Sequence, residues 1–273
     1  MSFRRAGGEV VMDPRHTPRA SKRDLEAGAW IGKGYEVAQY QLHEAVFSGK
    51  SPVVVSRFTT RWQERGFILV ERWNRIGMNR LRLTSKGRDF LLLNAAAAPE
   101  DLFVPARSVA AKDLAHRLWI NDLRVVLAKL PAKPELVLPA WALERRFTPR
   151  LPAIPDVLAV TRRGDSRVAL AVEVDLGGEP LKSVFVPKLS VLQGVLREMS
   201  RDGSSAVLVL TSSDRRRDAI AEATSNLDAG IPIAVETLPK ECGRNGLQAL
   251  LRMFTPAVHA TSQPTEDKAQ CLS

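Results

Sequence analysis

The apolar positions of the chain change their period along its length, and the changes divide it. Residues 1–20 carry Gly, Pro and Arg with little apolar recurrence and read as a disordered basic arm. From Leu25 to about Phe47 apolar residues recur at helical spacing, interrupted at Gly32 and Gly34, so two helices are expected. Ser51 and Pro52 then supply a capping hydroxyl and a proline suited to the first helical position. They predict a helix that runs to about Arg65 and ends at Gly66, with Val54, Phe58 and Trp62 as its core stripe. Phe67–Trp73 and Arg80–Thr84 have the pattern of two strands joined by a turn over residues 74–79, and Thr84 caps a short helix through Leu93.

The composition then shifts. Residues 96–105, within NAAAAPEDLFVP, read as a linker between a domain at 21–95 and a second at 106–254. The second opens with a long amphipathic helix over 106–130 carrying Leu114, Leu118, Val125 and Leu127. Strands follow at about 136–143, 157–161 and 168–174, then a helix over 181–199, a strand at 206–211, a helix over 215–227 and a strand at 231–236. That order implies an α/β (α+β) protein with a mixed sheet flanked by helices. Residues 255–273 turn polar and read as a disordered tail.

Charge changes the picture more than composition does. The 273 residues carry a formal net charge of +10, which favours a polyanionic partner. The excess is not spread evenly. Residues 1–90 hold 17 Lys and Arg against 9 Asp and Glu, a surplus of 8, whereas residues 91–273 hold 23 against 21. A basic front part on a nearly neutral body suggests that the first domain meets nucleic acid. The apolar runs are far shorter than the ~20 residues of a membrane span. The N-terminus lacks the apolar core of a secretory signal. Two cysteines, Cys242 and Cys271, make neither a disulfide framework nor a zinc cluster, so the cytoplasm is the expected compartment.

The helices, the capped helix and the basic hairpin of residues 25–95 resemble a winged helix-turn-helix DNA-binding domain. The resemblance implies contact with double-stranded DNA through Lys50, Ser56, Arg57, Thr60 and Arg61 on and before the recognition helix, and through Arg72, Arg75 and Arg80 in the hairpin. For the hairpin arginines, Arg82 included, protection of an edge strand by charge is the structural alternative.

The candidate chemistry lies in the second domain. Pro155-Asp156 opens one strand, and Glu173-Val174-Asp175 closes the next, 17 residues after Asp156. Alternation puts Glu173 and Asp175 on one side, and an adjacent strand brings Asp156 near them. Three carboxylates at a strand end suit a hard divalent cation, Mg²⁺ or Mn²⁺, and a phosphodiester substrate. This order resembles the PD-(D/E)xK restriction-endonuclease-like core, with Asp175 where that motif has lysine. Lys188 or Lys182, from the following helix, would restore the missing cation. His116 reads as a packed histidine, Gly177-Gly178 as a strand-to-helix turn, and the run from Asp214 to Asp218 as an exposed helix start.

LAHRLWINDLRVVLAKL, IPDVLAV and VALAVEVDLGGEPLKSVFVPKLSVLQ together resemble the replication-relaxation family of plasmid and mobile-element proteins over roughly residues 35–215. The resemblance implies a DNA-binding protein of plasmid replication, relaxation or mobilisation; other replication or mobilisation proteins and a second copy of the chain, as a homodimer, are the further partners expected. A metal-dependent endonuclease or nickase using Asp156, Glu173, Asp175 and Lys188 is the first alternative. A transcriptional repressor is the second.

Overall fold

The computed structural model describes residues 20–73, 78–106, 110–147, 151–163, 166–199, 205–227 and 230–254. Its first part is α1 (Lys22–Gly34), β1 (Val37–Ala38), α2 (Gln39–Val46), α3 (Pro52–Glu64), β2 (Ile68–Trp73), β3 (Met78–Leu83) and α4 (Ser85–Leu93). The starts of α1, α3 and α4 follow from their caps. Ser21 and Asp24 form a reciprocal capping box, and Ser51 accepts from Val53 N with Pro52 at the first helical position. Thr84 accepts from Gly87 N and donates to Gly66 O at 2.7 Å, tying α4 to the end of α3, where Gly66 takes φ +71° to make the turn.

The buried stripe of α3 is Val55, Phe58, Thr59 and Trp62. Val54, expected inside, lies at the half-buried edge of that stripe, because Val55 and Thr59 extend the Phe58–Trp62 face on the other side. Trp62 meets Phe58, Phe67 and Phe90, and Phe67 stacks on Phe90 with centroids 4.4 Å apart. The hairpin is antiparallel, and β1 adds to its β3 edge, giving the order β1-β3-β2. No periodicity marks a two-residue strand, so β1 was not expected.

The second part is α5 (Ala111–Lys129), β4 (Leu136–Pro139), α6 (Ala140–Arg146), β5 (Val157–Arg163), β6 (Ser166–Asp175), α7 (Val186–Met199), β7 (Ser205–Thr211), α8 (Asp214–Thr224), β8 (Ile233–Thr237) and α9 (Arg244–Phe254). Its sheet runs β4-β5-β6-β7-β8, antiparallel from β4 to β6 and parallel from β6 to β8. The continuous apolar runs of β6 and β7 suit strands covered on both faces. α5 packs on β4, β5 and β6, α7 on β6 and β7, and α8 on β7 and β8. The strand expected over 136–143 stops at Pro139. Ala140–Arg146 instead turns into a helix that buries Trp141, Ala142 and Leu143. The helix expected over 181–199 begins with a widened π-turn, Leu181–Phe185, in which Val184 N and Phe185 N both donate to Pro180 O.

The stretch 96–105 packs along α1. Leu102 enters the first core and Phe103 the second, and Phe103 N donates to Gly32 O at 3.0 Å. Asn121 on α5 donates to Gly34 O and Glu36 O, and Trp141 Nε1 donates to Lys33 O. α2 turns Tyr40 and Gln41 toward α5, where both donate to the carboxylate of Asp122. No helix among the described residues is long and apolar enough to cross a membrane.

Candidate functional site

The capped start of α3 fixes which residues it leaves outside. Ser56, Arg57 and Thr60 are exposed opposite the stripe anchored by Phe58 and Trp62, with Lys50 exposed just before the helix. Arg61 is half-buried, and its guanidinium reaches Asp24 on α1 at 2.7 Å. On the hairpin Arg72 is exposed, while Arg75 falls outside the described residues. Arg80 is committed inward. Its guanidinium pairs with the fully buried Glu36 at 3.1 Å and with Glu71 at 2.7 Å, and Arg82 pairs with the same Glu71. Ion pairs to a desolvated carboxylate hold an arginine in place, so Arg80 braces the hairpin against Glu36, just before β1. A polar relay crosses the surface beside α3: Asn79 donates to Gln39 Oε1 at 2.9 Å, and Gln39 Nε2 donates to Ser56 Oγ at 3.3 Å.

Asp156 and Glu173 meet where the start of β5 runs beside the end of β6. Antiparallel register sets Val157 opposite Val172, so Asp156 comes beside Glu173, and Asp156 accepts from Val174 N at 2.8 Å. Its Oδ2 also lies 3.0 Å from His116 Nε2 on α5. Burial pulls the His116 imidazole down, but the Asp156 hydrogen bond and charge outweigh it and leave its pKa above the ordinary histidine value. Lys188 on α7 donates to Glu173 Oε2 at 2.6 Å, so the lysine comes from the helix after β6. Burial, then the Asp156 charge, pushes the Glu173 carboxyl up to about 8 against the opposing pull of Lys188. Glu173 Oε1 is buried without a hydrogen-bond partner.

Asp175 goes elsewhere. Its Oδ2 accepts from Arg216 on α8 at 2.6 Å and its Oδ1 from Gly177 N at 2.8 Å. Two of the three carboxylates are therefore brought together and the third is drawn to a cation on another helix. Among the described residues no group of three His, Cys, Asp or Glu is close enough to hold one metal ion. Lys182 is exposed and, among the described residues, forms no ion pair with the acidic centre. The expectation of an exposed start for α8 fails at Arg216, which is half-buried on Asp175 and also donates to Glu179 O. Neither this pairing nor that of His116 has a signal in the sequence, because each joins residues about 40 apart through helix packing.

A pocket of about 550 Å³ opens beside this centre and is lined in part by Tyr35, Asp113, His116, Arg117, Trp141 and Asp156. The Arg117 guanidinium lies 4.6 Å from the Tyr35 ring centre and 4.8 Å from that of Trp141, and the two rings are themselves 6.2 Å apart, so the cation sits against an aromatic pair.

Comparison with protein families matches residues 41–203 to the replication-relaxation model. The chain belongs to the replication-relaxation family. The region matched to the replication-relaxation model begins in α2 and ends after α7, so it contains α3, the hairpin, Asp156, Glu173, Asp175 and Lys188. It leaves out α1, β7, α8, β8 and α9, and with them Arg216 and Arg244. No curated protein and no solved structure matches the chain. Replication-relaxation membership gives a role in plasmid or mobile-element replication or relaxation, with DNA and replication-related partners in general.

Proposed function

We propose that this replication-relaxation protein binds double-stranded DNA through a winged helix-turn-helix, with α3 in the major groove and the β2–β3 hairpin on the flanking backbone. The observation that carries the reading is the division of α3 into a face buried on Phe58 and Trp62 and an opposite face that exposes Ser56, Arg57 and Thr60. Arg57 is suited to guanine edges or phosphate, Thr60 to a thymine methyl or the backbone, and Lys50 and Arg72 to phosphate. Arg61 and Arg80 act indirectly, by holding α1 and the hairpin in place. The test is fluorescence anisotropy with duplexes from the parent element beside random-sequence duplex. Arg57→Ala is expected to weaken specific binding by about 1–3 kcal/mol. Unchanged affinity for both duplexes would refute the docking of α3.

A second reading, a metal-dependent DNA endonuclease or nickase, is favoured by the orphaned Glu173 Oε1 beside Asp156 and by Lys188 on the other oxygen of Glu173. Asp156 and Glu173 are the residues that would hold Mg²⁺ or Mn²⁺, which when bound supplies a Lewis acid for a phosphodiester oxygen. Lys188 is placed to stabilise negative charge, and His116 holds Asp156 in orientation. Asp175, neutralised by Arg216, has no part in this set. Incubation with supercoiled plasmid in Mg²⁺, Mn²⁺ or EDTA tests it. Metal-dependent nicking that disappears in both Asp156→Ala and Lys188→Ala supports the nuclease, and intact plasmid under every condition refutes it.

A further inference from the structure

A groove of about 210 Å³ lies where the two parts of the molecule meet on the α3 side. Its walls include Gln39 and His43 of α2, Pro52 at the start of α3, Met78 and Asn79 at the start of β3, and Arg244 at the start of α9. Arg244 is more than 160 residues from the other five, outside the span matched to the replication-relaxation model. Its side chain is exposed and has no ion-pair partner among the described residues. α9 is held in place by packing on α5, with Leu247 and Leu250 fully buried, so the position of Arg244 is set by the second core. The groove thus joins a guanidinium from the body, unpaired among the described residues, to the Asn79–Gln39–Ser56 relay at the edge of α3.

We infer that Arg244 is a DNA-backbone contact, and that the duplex held by α3 runs across this groove so that the two parts grip the same stretch of DNA. The inference rests on the DNA-docking reading of α3. Three features fit a phosphodiester. An exposed guanidinium offers several N–H donors matched to phosphate oxygens. Gln39 and Asn79 supply neutral amide donors beside it, as is common where phosphates fix the register of a protein on a duplex. The volume lies below the roughly 300–1,000 Å³ of sites that enclose a whole small molecule, which suits one group of a longer polymer.

A phosphate contact and a base contact differ in measurable ways. Losing a phosphate contact weakens binding uniformly across sequences and lowers the slope of log affinity against log salt by about 0.9, whereas losing a base contact changes sequence preference. The experiment is a salt series of anisotropy titrations with a labelled random-sequence duplex and the full chain, comparing wild type, Arg244→Gln, Arg244→Lys and Arg57→Ala. Arg244→Gln is expected to lower affinity about three- to tenfold and reduce the slope by about one, with Arg244→Lys restoring most of both. Matching circular dichroism and thermal melts establish that the exposed substitution leaves the fold intact. If Arg57→Ala weakens binding while Arg244→Gln leaves affinity and slope unchanged, the groove is not on the DNA path and the inference fails with the α3 reading intact. If the wild type shows no salt-dependent binding to any duplex, both fail together.

Discussion

Asp122 offers the sharpest physical test of the join between the two parts. It is fully buried on α5 and accepts hydrogen bonds from the Tyr40 hydroxyl at 2.8 and 3.0 Å and from Gln41 Nε2 at 2.8 Å, but no cation reaches it among the described residues. Burial pushes its carboxyl up from 3.8 to about 8, against the pull of those two donors. A folded-state value above the unfolded one means that this group contributes its full stability below the unfolded value and loses it as pH rises through the folded value. Each pH unit in that window is worth about 1.4 kcal/mol, so a separation of about 4 bounds the loss at about 5 kcal/mol. Asp122→Asn keeps the shape and an acceptor for Tyr40 but cannot ionise. In urea denaturation followed by tryptophan fluorescence, the variant is expected to match the wild type within about 1 kcal/mol near pH 4, and to pull ahead as pH rises until it exceeds it by several kcal/mol near pH 8. Glu173 and His116 are displaced in the same direction, but they act in both proteins and cancel in the difference. Parallel stability curves for the two proteins across that range would refute the account, since they would mean that Asp122 ionises at no cost.

Two further substitutions separate scaffold from contact. Arg80→Ala strips the cation from the buried Glu36, so it should cost about 3–5 kcal/mol in chemical denaturation; a stable variant that only binds DNA less well would return Arg80 to the DNA surface. Gly87→Ala would place a Cβ 2.1 Å from the Phe67 carbonyl oxygen at the start of α4, and a thermal melt should show a loss of at least about 2 kcal/mol, with an unchanged melting temperature refuting the close approach.

Local chemistry made much of the architecture legible. Ser51-Pro52 and Thr84 announce α3 and α4, because a capping hydroxyl acts on backbone amides two or three residues away and needs nothing from the rest of the chain. The period of the apolar residues likewise places α5 and the strands β5, β6 and β7, since a side chain must face the core wherever that core is. The failures have a common cause. Val54 and Val55 differ by one step around the helix, and only the packing of Phe58 and Trp62 decides which is covered. Ala140–Arg146 is apolar enough for a strand or a helix, and Pro139 with the sheet edge settles it.

At the candidate site the divide is clearer still. The sequence by itself determined that Asp156 and Glu173 meet, because strand alternation and an antiparallel neighbour follow from two short apolar runs and the chain between them. It also determined which face of α3 carries Arg57 and Thr60, through the cap and the apolar stripe. Which cation meets which carboxylate was left to packing, which took Lys188 over Lys182 and chose partners that no local pattern marks. Lys188 reaches Glu173, Arg216 takes Asp175, Arg80 turns to Glu36, and Arg244 arrives beside Gln39. Long, flexible side chains on separate helices choose partners by distance in space, and a distance across packed helices is set by the whole core and not by any local pattern.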